Sequence, residues 1–236
     1  MTTAEKRSDV LNELKSRSDS RAVAGMARFG IDPKNAYGIS MPKLRDLAKK
    51  IGKDHALAKG LWSSGVHEAR ILASIIDDPF LVTEAQMERW VLDFYSWDVC
   101  DQCCMNLFSK TEFAYRKAIE WSGRKEEFVK RAGFALMACL AVHDKRKASD
   151  CRLEKFLPII RRESWDGRNY VRKAVNWALR QIGKRNRDLN GKAIRTAREI
   201  MSLDSESAKW IASDALRELL SDAIAKKLSG GKGRKK

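Results

Sequence analysis

The chain has 236 residues, of which 44% are hydrophobic and 33% charged, and its formal net charge is +16 at pH 7. This balance excludes an intrinsically disordered chain, and the lack of an apolar run of about 18 residues excludes a membrane span. The excess of Lys and Arg predicts a polyanionic partner, and nucleic acid is the leading candidate. The alternative is a basic, solvated surface with a basic tail.

Residues 4–16 and 20–29 are predicted to form two amphipathic helices, and a third is predicted over residues 42–51 after a turn at residues 37–42. Ala, Leu, Lys, Arg and Glu dominate the chain, and alternating β-branched runs are absent, which predicts an all-α fold. From residue 54 onward the predicted helices come in pairs, namely 54–63 with 67–77, 82–94 with 97–109, 111–121 with 125–142, 151–161 with 168–185, and 189–201 with 205–227.

The pairs recur every 30 to 42 residues, a spacing typical of HEAT or armadillo repeats. Several second helices carry Ala or Gly near their start, such as Ala132 and Gly133, which lets paired helices approach closely. We therefore predict a curved solenoid of antiparallel HEAT-like repeats, forming one domain over residues 1–225. A compact irregular bundle is the alternative. Residues 226–236 are rich in Gly and Lys and are predicted to be a disordered basic tail.

The cysteines number five, an odd count, and residues 1–15 are polar and mixed in charge. We expect no signal peptide, reduced thiols and a cytoplasmic location. The cluster Cys100, Cys103 and Cys104 supplies half of a zinc spacing, but no matching Cys or His pair follows. We expect no metal and no cofactor. The three histidines, His55, His67 and His143, are scattered and suggest no Ser/His/Asp set.

Residues 96–101, SWDVCD, combine an aromatic with acids at the start of a predicted helix. In a helix, Trp97 and Asp101 are four residues apart and share one face. Ser96 or Asp98 is the candidate N-cap, and Asp101 has a structural alternative as the partner of a lysine. A carboxylate in a basic groove repels phosphate, so its presence favours a reaction that develops positive charge, such as cleavage of a deoxyribose glycosidic bond.

Residues 170–180 form a second candidate element, in which Trp177 and Arg180 lie beside an apolar stripe and close to Arg172 and Lys173. This arrangement favours a groove-facing role, whereas a core position is the alternative for Trp177. We expect the remaining tryptophans to serve mostly in the core or in packing between repeats, namely Trp62, Trp90, Trp121, Trp165 and Trp210. The concave face of the solenoid is expected to carry Arg70, Trp97, Asp101, Arg131, Trp177 and Arg180.

In these elements the chain resembles the AlkD-type DNA alkylation-repair glycosylases, over roughly residues 20–222. The resemblance rests on residues 37–42, on the Trp-Asp-x-x-Asp element from Trp97 to Asp101, on Arg131 with Ala132, and on the Lys-Ala-x-x-Trp-x-Leu-Arg element from Lys173 to Arg180.

The resemblance implies a monofunctional enzyme of base excision repair that hydrolyses the N-glycosidic bond of cationic N-alkylated purines, such as 3-methyladenine and 7-methylguanine, in duplex DNA. Asp101 would stabilise the oxocarbenium-like sugar and position water, and Trp97 and Trp177 would contact the deoxyribose and backbone of the lesion. The family uses no metal. Phosphate contacts would come from Arg131 and Arg180, and we add Arg172 and Lys173 as further DNA-binding residues.

The expected partner is double-stranded DNA that contains alkylated purines. We expect the protein to be a monomer that does not bind membranes. Two other classes of function stay open. The first is a HEAT-repeat scaffold that binds nucleic acid without chemistry, and the second is an interaction module for an acidic protein.

Overall fold

The computed structural model describes residues 2–229, in which the regular secondary structure is helical and no strand occurs. By packing they fall into two compact units, one ending at Thr111 and the other beginning at Glu112. The predicted all-α fold is therefore confirmed. No helix within residues 2–229 has the length and apolar character needed to cross a membrane.

The first unit begins with helices whose boundaries follow the sequence pattern closely. Its helices are α1 (Thr3–Ser16), α2 (Ser20–Met26), α3 (Met41–Ile51), α4 (His55–Trp62), α5 (His67–Ile76), α6 (Glu84–Leu92) and α7 (Trp97–Asn106), with 3₁₀ turns at Ala27–Phe29 and Phe108–Lys110. Helix α4 packs against α1 and α5, and α5 packs in turn against α3 and α7.

The second unit contains longer hairpins. Its helices are α8 (Ala114–Ser122), α9 (Glu127–His143), α10 (Asp150–Glu154), α11 (Phe156–Glu163), α12 (Asn169–Gly183), α13 (Arg187–Met201), α14 (Glu206–Leu219) and α15 (Asp222–Ser229), with a 3₁₀ turn at Lys147–Ser149. Helix α9 packs against α8 and α12, and α12 packs against α13 and α14. Helix α11 packs against α8 and α13, so each unit stacks its hairpins as helical repeats do.

Small residues set the spacing within hairpins, as the sequence indicated. A Cβ atom on Gly133 of α9 would lie 2.5 Å from the backbone nitrogen of Ser122 in α8. Only glycine fits this contact, so the α8–α9 hairpin depends on it.

Three predicted elements differ from the structure. The predicted pairing of residues 82–94 with 97–109 is not the main contact, because α7 packs against α5, while Trp90 of α6 stacks on Trp62 of α4 at 4.0 Å between ring centroids. The helix predicted over residues 151–161 is divided into α10 and α11, because Pro158 has no N–H to donate to Glu154.

The helix predicted over residues 205–227 is also divided, at Ser221. The hydroxyl of Ser221 donates to the Glu218 carbonyl (2.7 Å) and accepts from the Ile224 backbone N–H (3.4 Å), so it begins α15. Helix α15 extends to Ser229, four residues into the segment for which the sequence predicted disorder. The rest of that predicted tail, residues 230–236, lies outside the described residues.

Candidate active site and nucleic-acid surface

Helix α7 carries the aromatic and acidic pair that the sequence singled out. Ser96 is its N-cap residue, and its extended backbone (φ −143°, ψ 155°) makes Trp97 the first helical residue. Asp101 follows one turn later on the same side, and both side chains are half-buried. The Trp97 indole Nε1 donates to the carbonyl of Phe29 (2.9 Å), which fixes the plane of the ring.

Asp98, the other acid of this motif, is committed to the interior. One of its oxygens accepts from the Ser96 hydroxyl (2.5 Å) and from the Val99 backbone N–H (3.0 Å), and the other pairs with His67 Nε2 (2.8 Å). Burial acts to raise the pKa of Asp98, but the hydrogen bonds from His67 and Ser96 outweigh it and lower the pKa below its usual value. Asp98 therefore stabilises the start of α7, while Asp101 lies on the side of Trp97.

The imidazole of His67 connects Asp98 to Tyr95. Its Nδ1 lies 2.8 Å from the hydroxyl of Tyr95, and burial raises the pKa of Tyr95 to about 12. The sequence suggested no Ser/His/Asp set, but the structure links Ser96, Asp98 and His67 by hydrogen bonds. This set does not activate Ser96 as a nucleophile, because the Ser96 hydroxyl donates to the carboxylate rather than to the imidazole, and both Ser96 and His67 are buried.

Arg70, expected on the groove surface, is held within the first unit. Its guanidinium lies 5.4 Å from the Trp62 ring and 5.5 Å from the Tyr95 ring, and NH1 donates to the Asp93 carbonyl (3.0 Å). These contacts tie α5 to the segment that leads into α7.

A buried glutamate positions the segment that contacts Trp97. The carboxylate of Glu68, 2% exposed, accepts three backbone N–H groups, from Tyr37 (2.8 Å), Gly38 (2.6 Å) and Ile39 (3.2 Å). Gly38 has φ +72°, and a Cβ there would lie 2.5 Å from a backbone oxygen, so the turn requires glycine. Glu68 therefore anchors the loop between α2 and α3, the same part of the chain that supplies the Phe29 carbonyl.

The buried face of α7 is formed by its cysteines. Cys100, Cys103 and Cys104 are all buried and form no disulfide, and burial raises the pKa of the Cys103 thiol well above its usual value. Within residues 2–229 no three His, Cys, Asp or Glu side chains are grouped as a metal site would require. These thiols pack in the core together with Val99.

In the second unit, Arg131 of α9 is almost fully buried, with 6% of its surface exposed. Its NH1 donates to the Tyr170 carbonyl at the start of α12 (2.7 Å). Its predicted contact with phosphate stays a prediction, and this geometry favours a role in joining α9 to α12. The preceding Lys130 pairs with Glu163 (2.7 Å) and Asp166 (3.2 Å).

Helix α12 has the two faces that the sequence predicted. The apolar stripe is fully buried and consists of Val171, Ala174, Val175, Ala178 and Ile182. Trp177 is half-buried beside it, and Lys173 is exposed. The amide oxygen of Gln181, in the orientation that satisfies both donors, accepts from Trp177 Nε1 (3.1 Å) and Lys184 Nζ (3.2 Å). Trp177 thus lies at the edge of the core with its polar edge held by its own helix.

The two arginines of α12 are engaged by α14. Arg180 pairs with Glu218 (2.7 Å) and lies 3.6 Å from Asp214, and the Arg172 guanidinium lies 4.9 Å from the ring centroid of Trp210. A phosphate that binds Arg180 must therefore compete with two carboxylates. Their roles in DNA binding stay predictions.

The tryptophans assigned to packing divide into two groups. Trp62, Trp90 and Trp121 are buried, as expected. Trp210 is 39% exposed but packs between helices, because its ring lies against Arg172 of α12. Trp165 is 53% exposed, so the prediction was wrong for this residue. Trp165 lies in the loop between α11 and α12, where helical periodicity gives no information about burial.

Comparisons with known proteins agree with this architecture. The model of the DNA alkylation repair enzyme family matches residues 10–219. A search of curated proteins gives no match. One similar solved structure is described as belonging to a new family related to the HEAT-like repeat DNA glycosylases, with affinity for branched DNA structures. It has a TM-score of 0.72 and 22% identity, covering 90% of this chain and 95% of its own. This chain therefore belongs to the DNA alkylation repair enzyme family and has a HEAT-like helical-repeat fold.

Proposed function

We propose that the protein is a monofunctional DNA glycosylase that removes cationic N-alkylated purines, such as 3-methyladenine and 7-methylguanine, from duplex DNA. The observation that carries this proposal is the position of Asp101 on α7, one turn from Trp97 on the same half-buried side of the helix. The proposal is supported by membership of the family and by the net charge of +16.

The chemistry requires little from the protein. An alkylated purine already carries a positive charge, so it leaves as a neutral base and takes the electron pair of the N-glycosidic bond with it. The positive charge moves to the deoxyribose, as an oxocarbenium-like ion, and water then attacks C1′ and releases a proton. No general acid is needed to protonate the leaving base.

Asp101 is the group we assign to this developing charge. A carboxylate about 4 Å from a unit cation contributes about 4 kcal/mol at an effective dielectric constant of about 20. The same carboxylate accepts hydrogen bonds from water and orients it for attack. The indole of Trp97, held by Phe29, adds an aromatic face that attracts a cation by about 0.5–2 kcal/mol.

On α12 we assign Trp177 to the lesion deoxyribose and backbone, with Lys173 as an exposed phosphate contact. We also assign phosphate contacts to three arginines, Arg131, Arg172 and Arg180. Each of them must give up a contact within the protein to bind phosphate.

The test is release of free base from duplex DNA treated with a methylating agent, separated by chromatography. We expect methylated purines from the wild type and a strong loss in Asp101→Asn, with duplex binding retained. Equal release by the two proteins contradicts the role of Asp101, and no release by the wild type contradicts the glycosylase.

A DNA-binding scaffold without chemistry is the second candidate. The internal ion pairs of Arg180 and the burial of Arg131 favour it, since both leave fewer cations for a lesion site. The similar structure described above belongs to a family with affinity for branched DNA. Under this candidate, Asp101→Ala tightens DNA binding by removing a repulsive charge, four-way or fork DNA binds more tightly than duplex, and no base is released.

A further inference from the structure

A basic cavity of about 420 Å³ lies in the second unit, at the C-terminal ends of α9 and α12. The loop after α9 contributes Lys145 and Lys147, α12 is followed directly by Lys184, and α15 contributes Lys227. Arg185 completes the ring of cations, and Asp150 is the acid in the lining.

The charges around the cavity are unevenly compensated. Lys184 pairs with Glu218 (2.7 Å), and Arg185 pairs with Asp150 (3.1 Å). Lys145, Lys147 and Lys227 are exposed to solvent around the same space, and no carboxylate among residues 2–229 forms an ion pair with them. The cavity therefore has a net positive charge, which lysines supply as mobile point charges.

We propose that this cavity binds a backbone phosphate of DNA, outside the alkylated nucleotide. Its walls contain Ala141 and Val142 but no aromatic ring on which a base could stack, so the phosphate is the part of a nucleotide that it suits. Lysine ammonium groups bind phosphate oxygens without a fixed geometry, which fits a site that adds affinity rather than sequence preference.

The cavity also lies at a useful distance from Trp177. Gln181 bonds to both Trp177 and Lys184, so the three residues form one stripe along α12. Seven residues of helix span about 10 Å, close to the rise of about three nucleotides in one strand of a duplex. A strand that follows α12 from Trp177 thus brings a phosphate about three nucleotides away to the cavity. The placement of this phosphate about three nucleotides from the lesion rests on the proposed function. Binding of phosphate by the cavity does not depend on it.

The test measures the salt dependence of binding to an undamaged duplex, between about 50 and 200 mM salt. The variant is Lys145→Ala with Lys147→Ala. The matched control is Arg195→Ala with Arg198→Ala, which removes the same charge from exposed positions of α13. We expect the slope of log K against log salt to fall in magnitude by about 0.9 in the variant, the change that corresponds to one phosphate that is no longer neutralised. The control is expected to change much less, and replacement of both lysines by arginine is expected to keep the slope.

An unchanged slope in the lysine variant, or an equal change in the control, overturns the proposal. A third arm adds inorganic phosphate at the same ionic strength as chloride. Binding of inorganic phosphate that depends on Lys145 and Lys147, without an effect of either on duplex binding, assigns the cavity to free phosphate and overturns the DNA assignment. Failure of the wild type to bind duplex contradicts the proposed function as well, while base release that continues in the lysine variant leaves the proposed function in place.

Discussion

Replacement of Asp101 by Asn is the most informative single change in this protein, because it removes a charge and almost no volume. Asp101 lies in the second turn of α7, half-buried and one turn from Trp97. Its surroundings are neither bulk water nor a dry interior. An effective dielectric constant of about 20 is therefore appropriate for its interaction with a sugar cation.

At about 4 Å this interaction is worth about 4 kcal/mol for a full charge, and about half of that for a transition state in which the charge is half developed. A loss of about 2–4 kcal/mol corresponds to a fall of about 30-fold to 1,000-fold in the rate of base release. Binding of undamaged duplex should be unchanged or tighter, since the variant has one negative charge fewer.

The assay is single-turnover release of methylated base under excess enzyme, so that product release does not mask the chemical step. Asp98→Asn is the matched control, since it makes the same chemical change three residues away on the same helix. Because Asp98→Asn also destabilises the fold, the rates of the variants are compared under conditions in which the same fraction of each protein is folded. A fall of less than about threefold in Asp101→Asn, or an equal fall in Asp98→Asn, refutes the assignment of the charge to Asp101.

Three further predictions concern Asp98, Glu68 and the C-terminal segment. The pKa of Asp98 is lowered in the folded protein, so its carboxylate stabilises the fold above about pH 4, and this stabilisation is lost as the pH falls through the folded-state pKa. Asp98→Asn should therefore lower the free energy of unfolding by about 1.5–3 kcal/mol near neutral pH, with the difference from wild type closing in acid; urea unfolding from about pH 3 to about pH 7 measures it. Glu68→Gln replaces an acceptor of three backbone N–H groups by an amide that offers one oxygen, so we expect a loss of at least about 2 kcal/mol and faster amide hydrogen exchange in residues 19–39. The exposed Glu112→Gln is its control, and unchanged exchange in Glu68→Gln contradicts the anchoring role. Truncation after Ser229 removes basic residues while retaining Lys227 in its cavity, and should reduce the salt slope of duplex binding without changing lesion preference; a lost preference would show that the tail contributes to recognition.

The helices follow from the sequence because their signals are local. The helix predicted over residues 67–77 is His67–Ile76 in the structure, and that over 168–185 is Asn169–Gly183. Apolar periodicity and small residues at close contacts determine both. The family resemblance was likewise carried by short elements, and the family model confirms it over residues 10–219.

Contacts between distant residues were not predicted. His67 and Asp98 are 31 residues apart, and their hydrogen bond depends on the packing of α5 against α7, which the predicted pairing of helices had not included. The three hydrogen bonds of Glu68 were not predicted for the same reason. Tyr37 is 31 residues from Glu68 in sequence, and only the tertiary fold brings its turn to the start of α5.

The sequence by itself determined the all-α class, the repeat pattern, the helix positions and the shared face of Trp97 and Asp101, since each depends on periodicity within a few turns. The tertiary structure alone decided which charged groups are engaged. It buried Arg131 against the Tyr170 carbonyl, paired Arg180 with Glu218, and paired Asp98 with the buried His67. The physical reason is that burial and ion pairing depend on neighbours contributed by other helices, and periodicity identifies a face without identifying what covers it.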